Sequence, residues 1–463
     1  MSKKNSKHSS SFRDPSGFIF YREGKLFRQI NNLSQKDFDF LISSGLYKTL
    51  TKGGLLIPHK EVSKSHVLSP TAYRIIQPEV IPFISYPYEW CFGQLKSAAL
   101  LTLKVQKIAL EHGMSLKDAS AYNIQFRGYK PVFIDTLSFA VYEEEKPWVA
   151  YKQFCQHFLA PLALMAYTDV RLNQMLKIYV GGIPLGLAAN LLPLGSKLNF
   201  GLLAHLHLHS ASQEHYADKN LNLKKYHLKK NRLVALISSL EKTIKNLKLK
   251  KINTEWENYY SFTNYSDKSF KNKAAIVSKY LATARPKTVW DLGANTGEFS
   301  RLAKEKAYVI SCDIDPLAVE INFERTKKNK ERSILPLILD LTNPSPALGW
   351  ANKERASFSQ RGPVDLILAL ALIHHLAISD NLPLNYIAEY FSRLGSNLII
   401  EFIPKDDSKA QKLLSTREDI FPYYDKGNFE KEFSKYFRIL KSEKIKGAKR
   451  TIYLMKKRKP NVK

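Results

Sequence analysis

From residue 288 onward the chain alternates short apolar runs with amphipathic stretches. Residues 288–292 (TVWDL), 308–312 (YVISC), 334–339, 364–370 and 397–402 are runs of strand length, and 298–306 has helical spacing between the first two. A further helix runs from about Ser269 to Pro286, whose ring closes it. Strands separated by helices predict a parallel, doubly wound sheet with its ligand at the carboxyl ends of the strands. The first half reads differently. Residues 100–112 form a helix closed by Gly113, and 148–166 carry a dense apolar-aromatic stripe. Residues 178–195 lack charge for about the length of a membrane span, but Gly181, Gly182, Pro184, Gly186 and Pro193 interrupt them. The expectation there is buried loop and helix, with no membrane span.

A length of 463 residues predicts at least two domains, and 44% hydrophobic with 24% charged residues excludes wholesale disorder. Three distant cysteines, Cys91, Cys155 and Cys312, exclude a disulfide scaffold and a Cys-rich zinc site. The basic start, MSKKNSKHSSSF, has no apolar core behind it, so no secretory signal is expected and the location is read as cytoplasmic. The net charge of +29 is partly concentrated: residues 219–251 hold eleven basic residues and one acid, Glu241. Within that run Leu233, Leu236, Ile237, Leu240, Ile244 and Leu247 fall on one helical stripe. The favoured reading is a docked amphipathic helix; a nucleic-acid face is the alternative.

The residues at the strand ends carry chemistry. Asp291, Leu292, Gly293, Ala294, Asn295, Thr296 and Gly297 make a strand-turn-helix with glycines where backbone must approach a ligand. Asp313 follows at the spacing of a ribose-binding acid, and Asp340 ends the third run. A dinucleotide is disfavoured by Asn295 and Glu298 at glycine positions, and no Gly-Lys-Ser/Thr follows for a P-loop. A nucleoside with a charged amino-acid tail and no pyrophosphate, S-adenosylmethionine, fits better.

The ordered segments VWDLGANTGEFS, SCDIDPLAVE, LILDLTNPS, LILALALIHHL and NLIIEFIPKDD resemble the class I S-adenosylmethionine-dependent methyltransferase family over residues 289–455. The resemblance implies that Asp291 and the turn Gly293, Asn295, Gly297 hold the methionine end, Asp313 the ribose, and Asp340 with Leu341 the adenine edge. The Asn/Asp-Pro-Pro-aromatic motif of amide-directed members is absent after the fourth strand. His374 and His375 stand there instead, and imidazole suits removal of a hydroxyl proton. Either is a candidate base, and Glu401 at the end of the fifth strand is a candidate to orient the substrate.

Upstream, Asp118 and Asn123 form Asp-x-x-x-x-Asn before a strand, and residues 131–135 give a strand ending in Asp135. This spacing resembles the catalytic and metal-binding loops of the protein-kinase-like and aminoglycoside-phosphotransferase-like fold, with residues 81–87 as the hinge. Leu116 stands in place of the usual His, Asp135 is followed by Thr-Leu, and no Gly-rich loop or strand lysine is recognisable. These departures argue against phosphoryl transfer. His205, His207 and His209 alternate with leucines but lack a carboxylate partner, so no metal site is expected.

The expected fold class is α/β, a doubly wound Rossmann-like methyltransferase sheet preceded by an α+β kinase-like domain. The expected division is a disordered tail at 1–12, the kinase-like domain at 13–215, a basic helical connector at 216–264, the methyltransferase domain at 265–457 and a basic tail at 458–463. The expected function is S-adenosylmethionine-dependent methylation of a small-molecule or carrier-bound substrate, at oxygen by the histidine argument. RNA methylation (tRNA or rRNA) and a non-catalytic cofactor-binding scaffold with a pseudokinase-like docking domain are the alternatives.

Overall fold

A computed structural model describes residues 6–63, 68–208, 229–249, 267–415 and 418–459. Two compact units compose it: Met1–Lys251 with Ala347–Arg355, and Ile252–Pro346 with Ala356–Lys463.

The first unit opens with an antiparallel sheet of β1 (Ser6–Lys7), β2 (Gly17–Arg22), β3 (Lys25–Asn31), β4 (His59–Val62) and β5 (Ala72–Pro78), in the order β1-β2-β3-β5-β4. Phe18, Phe20, Phe27 and Ile75 alternate inward to form its core. Within the stretch expected as a disordered tail, Ser6 and Lys7 pair with Tyr21 and Phe20, and residues 1–5 lie outside the described residues. Two residues of edge strand carry no alternation that a sequence could show. Next comes the helix Phe92–Glu111, started by reciprocal bonds between Cys91 and Gln94 and buried along most of its length. Hairpin β7–β8 (Ile124–Arg127, Lys130–Phe133) and the pair β6–β9 (Met114–Leu116, Phe139–Val141) flank the loop carrying Asp118 and Asn123. Helical turns dominate from Tyr151 to Leu208. Sheet first and helices second is the kinase-like α+β arrangement.

The helix Lys230–Asn246 packs with this unit rather than standing as a connector. Leu233, Ile237, Leu240 and Ile244 are buried, and Lys107 pairs with Glu241 at 2.5 Å. The leucine stripe, not the lysine run, determines where the helix goes. Residues 347–355 also join the first unit, through an Arg13–Glu354 ion pair of 2.6 Å and Arg355 stacked 4.1 Å over Tyr122. No apolar period marks so short an excursion.

The second unit is built on a seven-stranded sheet. Its strands are β10 (Thr288–Leu292), β11 (Tyr308–Asp313), β12 (Ile334–Ile338), β13 (Val364–Ala369), β14 (Gly395–Phe402), β15 (Phe437–Lys444) and β16 (Thr451–Lys457). The order is β12-β11-β10-β13-β14-β16-β15. The first five are parallel, whereas β16 runs antiparallel to both β14 and β15. Strand order reverses between β10 and β13, the switch point at which doubly wound sheets bind ligands. Five near-continuous apolar strands are what a sheet covered on both faces needs. Val289, Val309, Leu366, Leu368 and Ile399 meet the helix Asp267–Ala284 through Val277, Tyr280 and Leu281. The helical stretch expected at 298–306 shortens to Ser300–Ala303. The architecture is that of a class I methyltransferase domain. No helix among the described residues is long and apolar enough to cross a membrane.

Candidate active site

At the carboxyl end of β10 the chain turns sharply. Gly293 and Asn295 hold positive φ of 75° and 49°, and the amides of Gly293 and Ala294 both donate to the Cys312 carbonyl. Asparagine tolerates the left-handed region, so it can stand where a dinucleotide loop has glycine. The amide of Asn295 donates to Asp313 at 2.7 Å, and that of Asp315 donates to it at 3.0 Å, which fixes the Asp313 carboxylate at the end of β11. Asp291 accepts a 2.6 Å bond from Ser300. Burial pushes both acids up, to about 6, against the opposing hydrogen bonds.

One cavity collects these groups. Asp291, Gly293, Asn295, Asp313, Asp340 and Leu341 all line it. Gly297, expected in the same turn, lies outside the cavity lining. A Cβ there would come within 2.5 Å of the Asn322 side chain, so this glycine serves the close approach of turn and helix Pro316–Lys328. Asp340 accepts bonds from the Thr342 amide and hydroxyl, which tightens the loop after β12.

The catalytic candidates separate. His375 lines the cavity beside Leu372 and Leu376. His374 turns away into the protein, 1% exposed, with Nδ1 lacking a hydrogen-bond partner. Its burial, with His375, Arg450 and Lys273 nearby, holds its pKa well below the usual imidazole value, so it stays neutral. Glu401 is wholly buried and does not line the cavity. Its carboxylate accepts from the Lys273 ammonium at 2.7 Å and from the Ala371 amide at 2.8 Å, and Arg450 lies 3.6 Å away. The expectation that it orients a substrate is therefore corrected: fully buried carboxylates are held by cations and amides, as this one is. It positions two cavity-lining residues, one of which, Ala371, sits at a strained φ of 53°.

Lys273 was not anticipated from sequence. It lines the cavity, its ammonium is 4.6 Å from the centre of the Phe299 ring, and burial lowers its pKa while Glu401 opposes that. A lysine nearly two turns into an amphipathic helix is an ordinary residue until its face is known. The lining offers the chemistry an amino-acid-tailed nucleoside needs: carboxylates, one ammonium, and an apolar wall that includes Ile314, Leu339 and Leu341.

Across almost its whole length the chain matches the nodulation protein NoeA of Rhizobium meliloti (strain 1021), with 33% identity over 454 residues, 96% of this chain and 95% of that one. The chain belongs to the NoeA family. No family model matches it. Among solved structures, the N-methyltransferase NodS of Bradyrhizobium japonicum WM9, also solved with S-adenosyl-L-homocysteine, overlaps 42% of this chain and 99% of its own at 10% identity and TM-score 0.32. The bifunctional kinase-methyltransferase WbdD overlaps 41% of this chain and 40% of its own at 16% identity and TM-score 0.29.

In the first unit of this NoeA-family chain, Asp118, Asn123 and Asp135 also come together. Asn123 and Asp135 share the Ser138 hydroxyl, at 3.2 and 2.7 Å, and Asp135 lies close enough to Asp118 to help burial raise its pKa. Arg28 on β3 meets Asp135 at 2.5 Å. Burial would raise Asp135, yet Arg28 holds it below the usual carboxylate value. The acid that a kinase gives to a metal is thus held by a fixed cation. Among the described residues no group of three His, Cys, Asp or Glu is placed to hold a metal ion. His205 bonds Tyr151 and Ser239, His207 bonds Ser196, and His209 lies outside the described residues.

Proposed function

We propose that the chain methylates an oxygen of a small-molecule or carrier-bound substrate in the cytoplasm, using S-adenosylmethionine. The observation that carries this reading is a cavity at the switch point, where Asp291, Asp313, Lys273 and His375 converge. When bound, S-adenosylmethionine supplies an electrophilic methyl group on a sulfonium. Asp291 and Lys273 bind the charged tail, and Asp313 orients the nucleoside. The apolar wall of Leu370, Leu372 and Leu376 excludes water from the side on which His375 lies. His375 takes the proton of the substrate hydroxyl, because it is the histidine that lines the cavity. Glu401 acts indirectly, by fixing Lys273 and the backbone of Ala371. The relative NoeA is named a nodulation protein, and that setting is the first place to seek the substrate.

The test is transfer of tritiated methyl from S-adenosylmethionine into fractionated host extract. The expected label is in small molecules or carrier-bound intermediates and disappears with Asp313→Ala. Label in RNA would overturn the substrate class. Tight cofactor binding without label in any fraction would favour the scaffold alternative.

A further inference from the structure

The uncharged stretch that interrupted itself with glycine and proline finds no role in the methyltransferase cavity. Residues 185–208 fold as short helical turns. Ile183, Leu185, Ala188, Leu202 and Leu206 are buried, as a helical lobe requires. A second set is not. Leu194 is 79% exposed, Leu198 90%, Phe200 78% and Leu208 58%, all within fifteen residues. Scattered exposed leucines are ordinary, but a run of large apolar side chains at this exposure marks an interaction surface.

Basic side chains border this surface: no acidic residue occurs from Leu172 to Gln213, whereas Lys177 and Lys197 do, and the Arg171 guanidinium is paired with Asp169. Lys197 is exposed between Leu194 and Leu198. The helix Lys230–Asn246 closes on the same place, since a Cβ on Gly201 would overlap the Thr243 side chain, and His205 bonds Ser239. That helix exposes Arg232, Lys242 and Lys245. Its one acid, Glu241, is taken by Lys107 and Lys245.

We infer that the Leu194–Leu208 surface docks on an anionic lipid bilayer, the apolar side chains entering the headgroup boundary and the lysines meeting the lipid phosphates. Apolar insertion combined with basic residues is the physical requirement of a peripheral membrane face. The absence of a spanning helix among the described residues leaves this mode untouched.

The experiment is co-sedimentation of the full chain with phosphatidylglycerol vesicles and with phosphatidylcholine vesicles, for the native chain, Leu194→Ser/Leu198→Ser/Phe200→Ser, and Lys197→Glu. The native chain should bind anionic vesicles, should bind neutral ones at least about tenfold more weakly, and should be released by salt. The triple variant should lose about tenfold or more while retaining its circular dichroism and cofactor affinity, because the replaced residues are exposed. Lys197→Glu should weaken anionic binding alone. No vesicle binding by the native chain, or equal binding by the triple variant, would overturn the inference. So would a native dimer that the triple variant converts to monomer without any vesicle binding, which would assign the surface to a second copy.

Discussion

Each unit brings buried acids to a loop after a strand, and the two units treat those acids in opposite ways. Asp135 in the kinase-like unit is met by Arg28, and its charge is fixed inside the fold. Asp291 and Asp313 in the methyltransferase unit are held by a hydroxyl and by backbone amides, and burial lifts both to about 6. Hydrogen bonds orient a carboxylate without neutralising it, so these acids keep their charge for a ligand. A guanidinium does neutralise, which makes Asp135 part of the scaffold. The same residue type at the same kind of strand end is thus a ligand site in one unit and a structural ion pair in the other.

The largest effect that would test the contrast concerns Glu401, the wholly buried partner of Lys273. Glu401→Ala leaves a buried ammonium unpaired and should destabilise the methyltransferase unit by about 3–5 kcal/mol. Glu401→Gln, which keeps an acceptor for Ala371 and Lys273, should cost markedly less. Denaturant unfolding of both variants measures this; equal loss would mean that the carboxylate's charge, not its shape or acceptor, matters there. Next comes the proposed base. His375→Ala should lower kcat about 10²–10⁴-fold with cofactor affinity retained. His374→Phe should spare the pH profile, because His374 is buried and neutral. The reverse ranking would assign the base to the wrong histidine.

Asp313→Ala should weaken cofactor binding by about 2–3 kcal/mol, the value of charge-assisted bonds to ribose. Asp135→Ala should leave that affinity unchanged, and calorimetry of both reads the contrast directly. A pH series sharpens it. Asp291 and Asp313 titrate near 6 when folded, against about 4 when unfolded, so the folded chain holds extra protons between those values. Their contribution to stability is full below about pH 4 and is lost as pH rises through about 6. Cofactor affinity should move the other way and rise through the same window, since the carboxylate is the form that binds. Thermal midpoints and binding constants from pH 5 to 8, repeated for Asp313→Asn, should show both slopes flatten.

How far the sequence reached depended on the range of each interaction. The strands were legible because Thr288–Leu292 and Val364–Ala369 are apolar runs bounded by turns, a signal carried within a few residues. Asp291, Asp313 and Asp340 were legible because they end those runs. Lys273 was not, since it meets Glu401 across 128 positions of chain and both look like surface charges locally. Arg28 and Asp135 are similarly remote, and their pairing depends on how β3 packs against the loop after β8. Gly297 reads two ways in sequence for a related reason: positive φ and close packing require glycine in a helix-supporting turn as surely as a ligand does.

The smallest effect is the most diagnostic for the kinase-like unit. Arg28 and Asp135 retain slight exposure, 10% and 17% of their side chains, so the cost of breaking their pair is moderated by solvent. Arg28→Ala should therefore destabilise that unit by about 1–2 kcal/mol, less than Glu401→Ala in its partner. Because Arg28 holds Asp135 below the usual carboxylate value, the native pair's contribution is present above about pH 4 and is lost in stronger acid. The variant should lack that acid-sensitive portion. It should also leave methyl transfer unchanged, as neither residue lines the methyltransferase cavity. If Arg28→Ala instead gained magnesium-dependent nucleotide binding, measured by calorimetry with and without the metal, Asp135 would be a masked metal ligand. The two units would then differ by one guanidinium alone, and not by what their acids can do.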